Sequence, residues 1–488
     1  MSAAKNTEIG EDDVHKTTNK ISGRLGIRHL QVLLLFWGMI IAYCLRVCMS
    51  EAVVAMSNSS AAQNNAETFA WDLRDRSHIL SSFFWGYTLT QIPCGYLAGV
   101  WSAQRLVSWG IFFCGVFNIL VPVGAHFGGK IAVCACRVGM GLCQGALLPC
   151  VHTLISKWAP PNERARLGTF AYAGAQLGTV IAFPISGFLA ASSAGWPSIF
   201  YVFGVAAIAW AITFYFIGAD NPSVHPSISD DEKNYIEDSL REAQGKEDPA
   251  VHGRLKTPWK HIFTSLPMWA LIIAHSGQNW GYWTLLTEMP GYMHAVLRFD
   301  MEQNGGVSAL PYLAMWVLSF PASWLSDYAL KKGTSREVIR KVSNTIAHWG
   351  PAIALVCLRF VPANDVVLAV TILVIAVGLN AGSLCGFQIN HIDLSPNFAG
   401  TMMSITNCFA SIIAIIAPLI CGNIVSNEYD VDQWMTVFYI SAAVYFIGNL
   451  LFIILGKAEV QWWNEPNATK PRKIANVSVD VKIQLEPR

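Results

Sequence analysis

Charge is what this sequence has least of. Asp, Glu, Lys and Arg make up 13% of its 488 residues, about half the ~25% of an ordinary soluble chain, while 53% are hydrophobic. Too few charges remain to coat a water-exposed surface, and those present are bunched between long apolar runs, the pattern of a polytopic helical membrane protein. A formal net charge of +1, with no basic stretch interleaved with aromatics, offers nothing to nucleic acid. The loops have no paired cysteines either: all twelve, from Cys44 to Cys421, fall inside the apolar runs, which excludes an extracellular disulfide framework. Cys134 and Cys136 have no His or acid spaced to complete a ligand set, so no metal site is expected. The hydrophilic segments contain no nucleophile–base pair and no phosphate loop, so no enzyme is expected. Residues 1–29 are polar and mixed in charge, and the first apolar run is too long for the core of a cleavable signal.

What is there is a series of runs long enough to cross a bilayer, for which about 20 mostly apolar residues are needed. Twelve are expected: 30–56, 78–100, 105–126, 131–155, 167–191, 197–218, 266–290, 305–328, 343–362, 364–386, 398–424 and 433–456. One long hydrophilic insert, 219–262, divides them six and six. The organisation is then a tail (1–29), a first bundle (30–218), a central loop (219–262), a second bundle (263–456) and a second tail (457–488). Basic residues collect on one side: Lys5, Lys16, Lys20, Arg24 and Arg28; Lys157, Arg164 and Arg166; Lys331, Lys332, Arg336, Arg340 and Lys341. By the positive-inside rule both tails are cytoplasmic. The first loop then lies outside, where Asn58-Ser59-Ser60 is a usable glycosylation sequon; those at Asn467 and Asn476 would face the cytoplasm and stay unmodified.

The two bundles repeat one another. Pro161-Asn162, Pro184 and Gly187 are echoed by Pro396-Asn397, Pro418 and Gly422. Trp196-x-x-x-Phe200-Tyr201 returns as Trp434-x-x-x-Phe438-Tyr439, and Pro93-x-x-x-Leu97 as Pro321-x-x-x-Leu325, at offsets of 228 to 238 residues. Same order and same direction imply parallel halves related about the membrane normal, the arrangement of major facilitator transporters.

Ionisable groups inside the runs mark the candidate chemistry. Arg46 lies deep in the first run, where a charge costs roughly 2.5–3.5 kcal/mol at a helix centre, so it should face a wet cavity or a partner. Tyr43 and Ser50 share its face. Arg137 is a second cation, near the end of its run, where snorkelling to the interface is the alternative. Gln144 is two turns on, within about 20° around the helix, and His152 is displaced further round. Two guanidiniums in one cavity with no acid opposite suit an anion, whose oxygens they match in a fork. Glu51 and Glu288 are candidate proton or gate groups, or solvated span ends. His275 and His391 are candidate proton carriers or packed histidines. Asp327 with Lys331 and Lys332 resembles an acidic–basic gate motif, whose first-half counterpart, Gly95 to Gly99, has no acid. Gly139, Gly141 and Gly145, and Gly174 and Gly178, allow close helix approach.

Several stretches resemble the solute carrier 17 anion/cation symporter family. They are Arg46-Val47 with Ala52 to Met56, Ser81 to Tyr87 with Gln91-Ile92-Pro93, Lys157 to Arg164, Gly174 to Thr179, Asn390 to Asp393, and Glu459-Val460-Gln461. The likeness runs from about residue 30 to 465 and is strongest to its sialin and invertebrate phosphate-cotransporter branches; Asn279-Trp280 with Thr284 to Thr287 is sialin-like. The resemblance implies an all-α major facilitator fold and transport of phosphate or organic anions, driven by sodium, protons or membrane potential. It also implies roles in the site for Arg46, Arg137, Tyr87 and His152. Gln144 stands where the sialin and glutamate-carrying branches resemble each other in having Glu, and it cannot take up a proton. Leu80 and Gln278 stand where the glutamate carriers have His and Arg. Cys48 and Glu51 replace a usual Asn and Val, and Glu51 could supply another coupling acid.

The expectation is therefore a symporter of inorganic phosphate or small organic anions, sodium-coupled, working by alternating access. Substrate would meet Arg46, Arg137, Tyr87, Gln144, His152, Tyr43 and Asn279, with Glu51, Glu288, Asp327 and His391 as coupling or gating candidates. Its partners would be a small anion and the lipid bilayer. It would act as a monomer with no cofactor beyond Na+ or H+ as coupling ion, in the plasma membrane. A proton-coupled lysosomal or vesicular organic-anion carrier is the alternative, and a transport-inactive receptor the alternative of another class.

Overall fold

A computed structural model describes residues 25–57, 67–244, 257–362, 365–395 and 397–464. Asn58, the expected glycosylation position, lies outside them, as do Asn467 and Asn476. The first bundle contains α1 (Ile27–Ser57), α2 (Leu73–Val100), α3 (Ala103–Gln144), α4 (Leu147–Trp158), α5 (Pro161–Ala191) and α6 (Pro197–Ile217). Two helices follow in the hydrophilic insert, α7 (Asp230–Gln244) and α8 (Trp259–Thr264). The second bundle contains α9 (Leu266–Ala295), α10 (Met301–Lys331), α11 (Arg336–Cys357), α12 (Val366–Leu379), α13 (Phe387–Leu394), α14 (Ala399–Ile424) and α15 (Val431–Leu455).

Short polar punctuation starts these helices. The side chains of Asp72, Ser102, Asp300, Ser335 and Asp365 accept hydrogen bonds from Asp75 N, Arg105 N, Gln303 N, Val338 N and Leu368 N at 2.7 to 3.4 Å. Each satisfies a donor that a helix start leaves unpaired. All twelve expected runs fall on helix, with three differences. The third and fourth have no loop between them: α3 runs through both and reverses at Gly129, whose φ of 54° and ψ of −144° only glycine adopts without strain. The fourth is broken after Gln144 and resumes as α4. The tenth is likewise broken, by a 3-10 turn at Asn380–Leu384.

Eight stretches are apolar and long enough to span a membrane on composition alone. The helices α2, α9 and α11 have similar length and more polar residues. Within the first bundle α2 and α3 cross through paired glycines. A Cβ on Gly86 would lie 2.2 Å from the Val138 carbonyl oxygen, and one on Gly141 would lie 2.0 Å from that of Phe83. Gly174 and Gly178 of α5 abut the backbone of α1 in the same way.

The two bundles meet near the face opposite the basic loops. Phe84 packs edge-on against Trp283 at 4.6 Å, and Phe183 stacks on Tyr312 at 5.6 Å. Gly305 lies against the Phe183 carbonyl, and Arg76 of α2 pairs with Glu428 beyond α14. Toward the basic face, by contrast, Leu89 and Ile92 of α2 and Trp324 and Leu325 of α10 are exposed. There the insert is fastened to the first bundle by Arg28, whose buried guanidinium bonds Glu163 and Glu232, each at 2.9 Å.

Adding one methyl group at the α2–α3 crossing tests this packing. Gly141→Ala must push α3 off the Phe83 backbone, at about 1–3 kcal/mol for an overpacked core. The detergent-solubilised variant should melt measurably below wild type in a fluorescence-detected thermal scan; an unchanged midpoint would show that the crossing is looser than described.

Candidate functional site

The glycine crossing decides where the charged residues end up. By bringing α2 onto α3 it sets Phe83 and Tyr87, one turn apart on α2, beside Arg137 on α3 and Arg46 on α1. Both arginines are buried, at 5% and 2% exposure. Their guanidiniums share one aromatic ring: Arg46 lies 4.8 Å and Arg137 5.0 Å from the Phe83 centroid. Arg46 also faces Tyr43 at 4.9 Å, Tyr87 at 4.8 Å and, from the second bundle, Trp283 at 5.7 Å. Each of these contacts is attractive, through the negative face of the ring, and none neutralises the cation.

Hydrogen bonding is equally incomplete. Arg46 Nη2 donates to Gln144 Oε1 at 3.2 Å, and Arg137 donates from Nη1 and Nη2 to the Arg46 carbonyl at 3.5 and 3.4 Å. Nε of both arginines has no partner. Gln144 is held by its own amide, which donates to the Ala42 carbonyl at 3.0 Å and toward Cys114 Sγ at 3.3 Å. Among the described residues neither arginine forms an ion pair. Two unneutralised guanidiniums in an enclosed, aromatic-walled site create a strong positive potential, and their free N–H groups are matched by anionic oxygens.

Of the residues expected here, Arg46, Arg137, Tyr87, Gln144 and Tyr43 come together. His152 does not join them: it lies on α4 beyond the helix break, exposed, with Nδ1 3.4 Å from Tyr172 Oη. Asn279 is half-buried on α9, one turn before the Trp283 that reaches Arg46. The coupling candidates are dispersed. Glu51 is fully buried beyond Arg46, and neither carboxylate oxygen has a hydrogen bond. Glu288 is buried near Arg76 and Glu428. Asp327 is exposed, and among the described residues no ion pair joins it to Lys331 or Lys332. His391 is buried, with its ring nitrogens 2.9 Å from the Gln388 carbonyl and 2.9 Å from Thr406 Oγ1; His275 Nδ1 reaches the same hydroxyl at 3.0 Å.

The second bundle contributes aromatic groups that the sequence did not single out. Tyr282 packs edge-on against Trp283 and Tyr312, and the buried Tyr312 hydroxyl has no partner among the described residues. Behind them Gln278 Nε2 and Tyr445 Oη both donate to Asn380 Oδ1, at 2.8 and 3.3 Å. This wall is polar but uncharged, so the charge of the site comes from the first bundle alone. An adjacent Tyr-Trp pair four residues past Gln278 was the one available signal.

Comparison with known proteins fits this arrangement. The profile of the Major Facilitator Superfamily matches residues 35–418. A Putative inorganic phosphate cotransporter of Drosophila melanogaster is 42% identical over 477 residues, 93% of this chain and 89% of that protein. Sialin of Homo sapiens is 36% identical over 459 residues, 89% and 90% respectively. The chain belongs to the solute carrier 17 family of the major facilitator superfamily. This solute carrier has the fold of a bacterial homologue of the human lysosomal transporter Spinster, in an inward-facing, unoccupied conformation. The TM-score is 0.70 at 13% identity, over 89% of this chain and 98% of that one. The inward open xylose transporter XylE of E. coli gives 0.64 at 14% identity, over 87% and 95%.

Gln144 holds the Arg46 fork without altering its charge, and the carrier offers a direct test of that role. Gln144→Glu would set a carboxylate against the guanidinium and compete with substrate. Anion uptake should fall about tenfold at neutral pH, from the loss of one charge-assisted bond, and recover in acid as the new carboxyl is protonated. An unchanged pH profile would show that residue 144 does not govern Arg46.

Proposed function

We propose that this multi-pass membrane protein is a secondary active symporter of inorganic phosphate or small organic anions. One observation carries the reading: two buried guanidiniums from different helices, Arg46 and Arg137, flank one ring, and among the described residues no carboxylate is paired to either. Such a site disfavours cations and neutral sugars and rewards a compact anion that can use both forks. Relatives named as phosphate cotransporters and sialin support the same substrate class.

Transport would proceed by alternating access. With the basic loops toward the cytoplasm, the described conformation is closed outside, along the Arg76–Glu428 and Phe183–Tyr312 seam, and parted inside. Substrate would leave past Tyr172 and His152 on the cytoplasmic side of the arginines. The Tyr282–Trp283–Tyr312 wall would close on the anion from the second bundle. The coupling ion would be sodium, with no resident cofactor, in a monomer of the plasma membrane. Proton coupling is the second reading, favoured by the buried and unpaired carboxyl of Glu51, and it would suit a lysosomal or vesicular membrane.

Arg46→Ala should reduce uptake of radiolabelled phosphate, sialate or urate by about ten- to a hundredfold, the worth of one to two charge-assisted bonds. Surface expression should stay at the wild-type level. Wild-type uptake in a well-expressed Arg46→Ala protein would remove the arginine from the mechanism.

A further inference from the structure

The seam that closes the outer side contains one group the anion site does not use. Glu51 lies five residues beyond Arg46 on α1, in the first bundle, with 0% exposure and, among the described residues, no donor within hydrogen-bond distance of either carboxylate oxygen. Across the seam the side-chain amide of Asn304 on α10 faces it, also at 0% exposure. Asn304 Nδ2 donates to the Pro290 carbonyl at 3.1 Å and its amide also acts on Glu51, while its Oδ1 has no donor among the described residues. Among the described residues no charged side chain acts on Glu51. Glu288 is different, because Arg76 stands beside it.

Three buried acceptor oxygens within hydrogen-bond distance of no donor among the described residues, two of them the Glu51 carboxylate pair and the third Asn304 Oδ1, are costly to enclose. They are satisfied together by a small hard cation. A divalent ion is a poor fit, since such ions draw on several carboxylates or keep their waters, and here there is a single carboxylate and no exposure. We propose that Glu51 and Asn304 form a monovalent-cation site, for sodium or a proton, that spans the two bundles and is filled when the outer seam closes. Because each bundle supplies a ligand, an occupant stabilises the closed seam over the open one by its differential affinity for the two. This deepens the symporter reading, on which it rests, by naming where the coupled cation sits.

The test is uptake of radiolabelled inorganic phosphate into proteoliposomes containing the full-length protein. Three conditions are compared: an inward sodium gradient at equal pH, an inward proton gradient without sodium, and neither. Wild type should be stimulated severalfold by one gradient, and which one identifies the ion. In Glu51→Gln that stimulation should fall to about onefold relative to the variant's own ungraded rate. Asn304→Leu should raise the half-saturating concentration of the same ion at least tenfold, and it carries the test if Glu51→Gln fails to fold. Full wild-type stimulation in either folded variant overturns the proposal.

If wild type carries no phosphate at all, the substrate reading fails first, and the cation site is judged by thermal unfolding of the purified protein. A sodium- or acid-induced rise in melting temperature that disappears in Glu51→Gln supports the site. A rise that persists in the variant, or no rise in wild type, refutes it.

Discussion

Much of this molecule follows from the burial of two guanidiniums without a neutralising partner. Enclosing a charge is expensive unless it is paired, and Arg46 and Arg137 are compensated only in part, by ring faces, one amide oxygen and one backbone carbonyl. The surroundings are arranged to bear that cost. Phe83 serves both cations at once, Gln144 is itself pinned by two further contacts, and the α2–α3 glycines let the ring come close enough. What remains unsatisfied is the capacity to bind. A site fully compensated by its own protein would have nothing left for a ligand.

The two halves divide the labour unequally. The first contributes both cations and their supports; the second contributes a neutral wall of Tyr282, Trp283 and Tyr312 backed by the Gln278–Asn380–Tyr445 bonds. That asymmetry suits a carrier that rocks. The half holding the charge can keep its grip on substrate throughout, while the uncharged half approaches and withdraws without having to break an ion pair at the binding point. Ionic contact between the halves is instead placed at the outer rim, between Arg76 and Glu428, away from the substrate.

The fold was legible because membranes leave few choices: length and apolarity of a run specify a helix, and repeated Pro, Gly and Trp motifs disclose the doubled bundle. Glycine spacing also foretold which helices approach closely. What composition could not show was depth and facing. For Arg137 snorkelling stays open as an alternative until the Gly86–Gly141 crossing is seen to carry it inward. His152 shares the fourth span with Arg137 and Gln144, yet it lies past the break at residues 145–146, on α4, against Tyr172 rather than on either arginine. Trp283 and Tyr312 were hidden because aromatic residues are common in spans, and only tertiary contact separates those that line a chamber from those that face lipid. Asp327 shows the reverse: a recognisable motif whose acid stands exposed, with no ion pair to Lys331 or Lys332 among the described residues.

The contact between Arg46 and Trp283 has a consequence of its own. It joins a cation of one bundle to a ring of the other at the very point where cargo must bind. That ring is a weak partner, occupying one side of the guanidinium. An incoming anion must displace it or share the cation with it, so the act of loading alters a bond between the two bundles. Cargo recognition and the relative position of the halves are thereby written into the same few atoms, with no relay needed between them.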